Sequence, residues 1–185
     1  EAALPADLQG ITYASYDSNN LQTSVDRTCL AIKKQIGEVK CSDCHFLLNQ
    51  RSGQCLDVQE MGKEDGNPVI QWPHHGGLNQ LWSLEKLSDG WFKIVSRNSG
   101  KCLQVKDASQ EEDAVVEQGT YKGETNQQWT LTLTPFGNGI YQIKARHSLK
   151  CLYASSEEKE TPIVQRTWRQ DEGFLWWLAD AVTVN

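Results

Sequence analysis

Ser52-Gly53-Gln54-Cys55-Leu56-Asp57-Val58, Ser99-Gly100-Lys101-Cys102-Leu103-Gln104-Val105 and Ser148-Leu149-Lys150-Cys151-Leu152-Tyr153-Ala154 are three versions of one phrase. Their Cys residues stand 47 and 49 residues apart, and Trp82, Trp129 and Trp177 follow them at 27, 27 and 26 residues. Self-similarity at so regular a period marks a repeat architecture. Each copy opens on an alternating stretch: Phe46-Leu47-Leu48-Asn49, Phe92-Lys93-Ile94-Val95 and Tyr141-Gln142-Ile143-Lys144. Polar turn residues such as Arg97-Asn98-Ser99-Gly100 follow, which reads as strand and turn. No stretch is long enough for a good amphipathic helix, so the expected unit is four short strands, repeated over 46–87, 92–134 and 141–182.

Composition agrees with a closed all-β body. Only 38% of the 185 residues are apolar, yet there are seven Trp. Trp82, Trp129 and Trp177, meeting on a pseudo-threefold axis, are expected to fill a core that few aliphatic residues could fill. Trp91 and Trp176 have no assigned role. With 24 acidic against 18 basic residues the net charge is -6, which disfavours nucleic acid or an anionic membrane surface as partner. No run of 18 or more apolar residues exists, so no membrane insertion is expected and the chain reads as soluble.

Asn79-Gln80-Leu81-Trp82 and Asn126-Gln127-Gln128-Trp129 resemble the Gln-x-Trp signature of the ricin B-chain type β-trefoil, a family of lectins, toxin cell-binding subunits and carbohydrate-binding modules of glycosidases. The third copy departs from it, as Phe174-Leu175-Trp176-Trp177. The resemblance implies a β-trefoil over 46–185, with 1–45 as an N-terminal extension of unknown role. It also implies a secreted, non-catalytic domain that binds cell-surface glycans of the galactose, N-acetylgalactosamine or xylan type, as the targeting part of a toxin or glycosidase with further domains in a larger parent chain. A sugar-silent trefoil serving as a protein-interaction or structural scaffold is the alternative.

A hexose presents vicinal hydroxyls and an apolar face, so its site needs a carboxylate, an aromatic plate and amides. The first repeat supplies them at the family spacing. Asp57 is expected to take the sugar diol and Trp72 to stack. His75 and Asn79 are expected to bond flanking hydroxyls, and Gln80 to hold Asp57. The competing readings are plain ones: Asp57 as a turn carboxylate capping backbone N–H groups, and Trp72 as core. The second repeat has Gln104, Gly119 and Lys122 at the Asp, plate and His positions, with Tyr121 as a substitute plate if the loop shifts. The third has Tyr153 for the Asp and Phe174-Leu175 for Asn-Gln, with Trp168 as a surviving plate. One competent site, in the first repeat, is the expectation.

No cofactor or metal is expected. His74 and His75 are adjacent on an extended segment and point to opposite faces. Glu157, Glu158 and Glu160 read as a solvated loop, and no paired-carboxylate, phosphate-loop or nucleophile motif suggests an enzyme. Where ricin-type repeats place a second Cys after the plate, this chain has Trp72-Pro73-His74, so Cys55, Cys102 and Cys151 are expected to be buried thiols. Of Cys29, Cys41 and Cys44, a disulfide from Cys29 to Cys41 or Cys44 is the plain expectation.

Overall fold

The computed structural model describes residues 44–135 and 139–181. The expectations for residues 1–43, including Cys29 and Cys41, lie outside the described residues. Twelve strands form three units. The first has β1 (Cys44–Asn49), β2 (Cys55–Val58), β3 (Val69–Trp72) and β4 (Leu81–Lys86). The second has β5 (Phe92–Ser96), β6 (Cys102–Val105), β7 (Ala114–Gly119) and β8 (Trp129–Leu133). The third has β9 (Ile140–Ala145), β10 (Cys151–Ala154), β11 (Ile163–Arg166) and β12 (Trp176–Asp180).

The first and last strand of each unit close a six-stranded antiparallel ring in the order β1-β4-β5-β8-β9-β12 and back to β1. Closure removes the exposed sheet edges that an open sheet of this size would present. The remaining strands form the hairpins β2–β3, β6–β7 and β10–β11. Each hairpin touches the next, through Pro68 with Glu117, Val115 with Val164 and Pro162 with Ile70.

Five sets of three equivalent residues, together with Ala145, form the central core: Leu47, Ile94 and Ile143; Leu56, Leu103 and Leu152; Val58, Val105 and Ala154; Val69, Val116 and Ile163; Trp82, Trp129 and Trp176. The three indole N–H groups donate to the carbonyls of Leu56, Leu103 and Leu152 at 3.0, 2.9 and 3.2 Å. Each Trp is thereby tied to the Cys-Leu pair of its own unit, and its one polar atom is satisfied inside an apolar core.

The third core Trp is therefore Trp176, and the expectation of Trp177 is corrected: Trp177 is only half-buried, on the opposite face of β12. Eleven residues separate Val58 from Val69 and Val105 from Val116, but nine separate Ala154 from Ile163. The shorter connection shifts everything after it by two positions. A second threefold set is polar. Ser52, Ser99 and Ser148 donate to Gln71, Gln118 and Gln165 at 2.8, 2.7 and 2.7 Å. Each of these buried amides reaches two backbone carbonyls of the preceding unit, such as Ser156 and Glu158 for Gln71.

Cys55, Cys102 and Cys151 are buried free thiols, as expected. Burial raises all three, to about 12 for Cys102 and about 11 for Cys151, which keeps them protonated and unreactive.

Candidate functional site

The β2–β3 hairpin pairs Cys55 with Trp72, Leu56 with Gln71, Asp57 with Ile70 and Val58 with Val69. Side chains alternate across a strand, so paired residues share a face. Leu56, Val58 and Val69 point to the core, while Cys55, Asp57, Ile70 and Trp72 share the outer face. The 3-10 turn Leu78–Gln80 folds over that face and buries Asp57 to 3% exposure.

Asp57 is not a turn cap; side chains surround it. Asn79 Nδ2 donates to Oδ1 at 2.9 Å and Gln80 Nε2 to Oδ2 at 2.9 Å, while His75 Nε2 lies 3.3 Å from Oδ2. Asn79 Nδ2 also reaches the Val58 carbonyl, and Gln80 bridges the Pro73 carbonyl and the His75 backbone N–H. Burial raises the Asp57 carboxyl above its ordinary range, and the Gln80, His75 and Asn79 interactions offset this only in part.

All five expected residues come together here. Asp57, Trp72, His75 and Asn79 line a cleft of about 470 Å³, and Gln80 sits behind Asp57. The cleft is of a size for small ligands. Gln59, Glu60, Met61, Ile70 and Glu160 complete it. Sequence reasoning missed these. Glu60 and Met61 lie in left-handed backbone, at φ 54 and 55, which no glycine signals. Glu160 comes from the third unit and is brought by the hydrogen bond from its N–H to the Gln71 carbonyl. His74 turns away from His75 to face Cys55 Sγ at 3.4 Å, and burial lowers its pKa to about 4. Among the described residues no group of His, Cys, Asp or Glu is arranged to hold a metal ion.

The second unit keeps the frame and loses the opening. Gln127 bonds Gln104 Oε1, the Thr120 carbonyl and the Lys122 N–H at 2.8, 2.9 and 2.7 Å, the pattern of Gln80. Gln104, at the Asp position, turns to Glu117 Oε1 at 2.8 Å and lies where any side chain at Gly119 would collide with it. Tyr121 does not move in as a plate; it is equivalent to His74 and lies under Lys93.

In the third unit the two-residue shift places Gly173-Phe174, not Phe174-Leu175, at the Asn-Gln positions. Arg166, opposite Cys151, takes the plate position. The expectation of Trp168 as a surviving plate is corrected: it packs on Phe174 at 5.3 Å, beside Tyr153 and Val164. The Tyr153 and Phe174 rings are 4.3 Å apart and fill the space that Asp57 and Gln80 hold in the first unit.

Fold and site together define a β-trefoil of the lectin type. The ricin-type beta-trefoil lectin domain-like family matches residues 35–119 and 125–185, and the chain belongs to it. The chain is similar to a designed three-fold symmetric protein, ThreeFoil, at 39% identity and TM-score 0.71, covering 74% of this chain and 98% of that one. It is 33% identical, at TM-score 0.72, to an exo-β-1,3-galactanase from Clostridium thermocellum, over 76% of this chain but 31% of the enzyme. A ricin B-like lectin of Macrolepiota procera, solved with lactose, shares the fold at 16% identity and TM-score 0.64, covering 76% and 97% of the two chains. No curated protein matches the sequence. Family membership supports carbohydrate binding in general.

Proposed function

We propose that this chain is a non-catalytic glycan-binding domain with one working site, the cleft of the first unit, and that the site takes galactose or N-acetylgalactosamine-type sugars. The observation that carries this reading is the buried Asp57 carboxylate, held by two amides beside the Trp72 plate. A carboxylate oxygen accepts about two hydrogen bonds, so Oδ1, with one donor, has room for a sugar hydroxyl. His75 makes the longest of the three contacts to Asp57, and it is the one a second hydroxyl displaces. The apolar sugar face stacks on Trp72. The relatives that support the sugar class are the galactanase, which contains a similar trefoil, and the lactose-bound lectin.

The wider reading follows the family. The domain is secreted, recognises glycoproteins or glycolipids at a cell surface, and serves as the targeting part of a toxin or glycosidase. Residues 46–185 are the binding domain, with 1–45 an extension carrying a disulfide from Cys29 to Cys41 or Cys44. Two or three charge-assisted hydrogen bonds of about 1.5 to 3 kcal/mol, offset by desolvation, leave a single-site Kd on the order of 0.1 to 1 mM. Several sites in one assembly are then needed for firm attachment.

A glycan array on the chain, followed by retention of Asp57→Asn and Trp72→Ala on immobilised galactoside, tests the reading. Binding to galactosides that both variants lose is the expected result. Unchanged retention sinks the first-unit assignment, and a blank array favours the scaffold reading, which the filled outer faces of the other two units suit.

A further inference from the structure

The three places where one unit's loop meets the next hairpin differ in charge. Where the first unit's loop meets the second hairpin, Asp65 pairs with Lys101. Where the second unit's loop meets the third hairpin, Glu112 pairs with Lys150 and Asp113 with Arg166. Where the third unit's loop meets the first hairpin, Lys159 and Glu160 stand at the positions of these acids, and Gln54 replaces the paired Lys. Glu160, at φ 66, lines the cleft, as does Glu60 from the left-handed turn on the other side. Among the described residues neither Glu60 nor Glu160 forms an ion pair.

The hydrogen-bonding groups of the cleft are mostly acceptors, the lining donors besides Asn79 and His75 being the Gln59 amide and the Trp72 indole N–H. Asp57, Glu60 and Glu160 are carboxyl-bearing residues of the lining; Asn79 Oδ1 is buried with no hydrogen-bond partner, as is the equivalent Asn126 Oδ1 in the closed second unit. Asn79 Nδ2 is already used twice, on Asp57 and the Val58 carbonyl. His75 uses Nδ1 as acceptor for the Gly77 N–H at 3.2 Å and Nε2 on Asp57 until a hydroxyl displaces it. The one ammonium close by, Lys159 Nζ, lies 5.2 Å from the Trp72 ring centre and is not part of the lining. A ligand that brings donors meets more partners here than one that brings only acceptors. A hydroxyl brings one and an ammonium three, with a charge opposite to the walls, whereas a carboxylate or sulfate brings none.

We infer that the first-unit cleft prefers a glycan ending in a protonated 2-amino hexose over its neutral, N-acetylated and uronic acid counterparts. This rests on the glycan-binding reading of the same cleft. Glu60 and Glu160 act as specificity-determining residues, because both line the cleft and neither forms an ion pair among the described residues.

Calorimetric titration of the whole chain with methyl galactoside and with its 2-amino, 2-acetamido and uronic acid analogues tests this, with ethanolamine as a bare-amine control. The 2-amino sugar is expected to bind about fivefold to tenfold tighter than methyl galactoside at low salt, with most of the advantage gone at about 0.5 M salt. In Glu60→Gln/Glu160→Gln the advantage, read as the ratio of the two dissociation constants measured on that same variant, is expected to shrink to about twofold. If methyl galactoside binds but the amine gains nothing, or the advantage survives the double substitution, the inference is overturned and the glycan site stands. Ethanolamine binding as tightly as the amino sugar also overturns it, since recognition would then be of bare charge. If none of the four sugars binds, both readings fall.

Discussion

The first and third units share the same inner face and the outward Cys of each hairpin, and differ in the ring and polar groups turned outward beside it. Leu56, Val58 and Val69 match Leu152, Ala154 and Ile163 in the core. Outside, Asp57 and Gln80 make a polar pocket floor, while Tyr153 and Phe174 stack into a plug. Period-2 strands make this separation possible: one face is constrained by packing against two equivalents, and the other is free to vary. The second unit is an intermediate, with the amide frame of Asn126 and Gln127 intact and the opening closed by Gln104.

The sharpest way to break this comparison is at the core. Trp176→Ala should cost about 3 to 5 kcal/mol and Trp177→Ala far less, read from urea midpoints. Equal losses would mean that Trp177 shares the threefold core after all. Gly173→Ala comes next. Its new Cβ would sit 2.5 Å from the Ala154 carbonyl oxygen, so a loss of about 1 to 3 kcal/mol is expected. No loss would show that the plug is loose rather than packed.

A smaller effect separates the polar floor from the apolar one by pH. The folded Asp57 carboxyl titrates above its unfolded value, so the native state holds the proton more tightly. Its stabilising contribution is full below the unfolded pKa of about 3.9 and is lost as pH rises through the raised folded value. Relative to Asp57→Asn, wild-type stability should therefore fall with rising pH in that window. Sugar retention should run the other way, since the ionised form accepts the hydroxyls. A pH-independent difference between the two proteins would remove the raised titration.

The smallest expected effect concerns the turn before each Cys-Leu pair. Gly53 and Gly100 are left-handed there, at φ 67 and 71, and Leu149 adopts the same backbone at φ 58. Leu149 is exposed, so Leu149→Gly should relieve strain at little loss of packing and stabilise by about 0.5 to 1 kcal/mol. A destabilised variant would show that the leucine contributes packing that outweighs the strain.

The repeated Ser-x-x-Cys-Leu phrase and the Trp ruler were enough to count units and strands, because core packing under threefold symmetry leaves its period in the chain. That Asp57, Trp72, His75, Asn79 and Gln80 lie together was legible for a related reason: they are local to one hairpin and its following turn. The choice between Trp176 and Trp177 was not, since a two-residue deletion between Ala154 and Ile163 is visible only when the core positions are known. The buried Ser–Gln pairs were half-visible, as the serines recur in the phrase but their glutamine partners lie 17 to 19 residues on.

By itself, then, the sequence determined the threefold all-β architecture and the identity of the polar hairpin, both of which follow from short-range patterning. Tertiary structure alone decided which Trp closes the core, which outer faces are filled, and that Glu160 of the third unit stands at the rim of the first. The first two depend on packing between residues 13 to 24 positions apart and the third on a contact 89 positions apart, none of which a local period encodes.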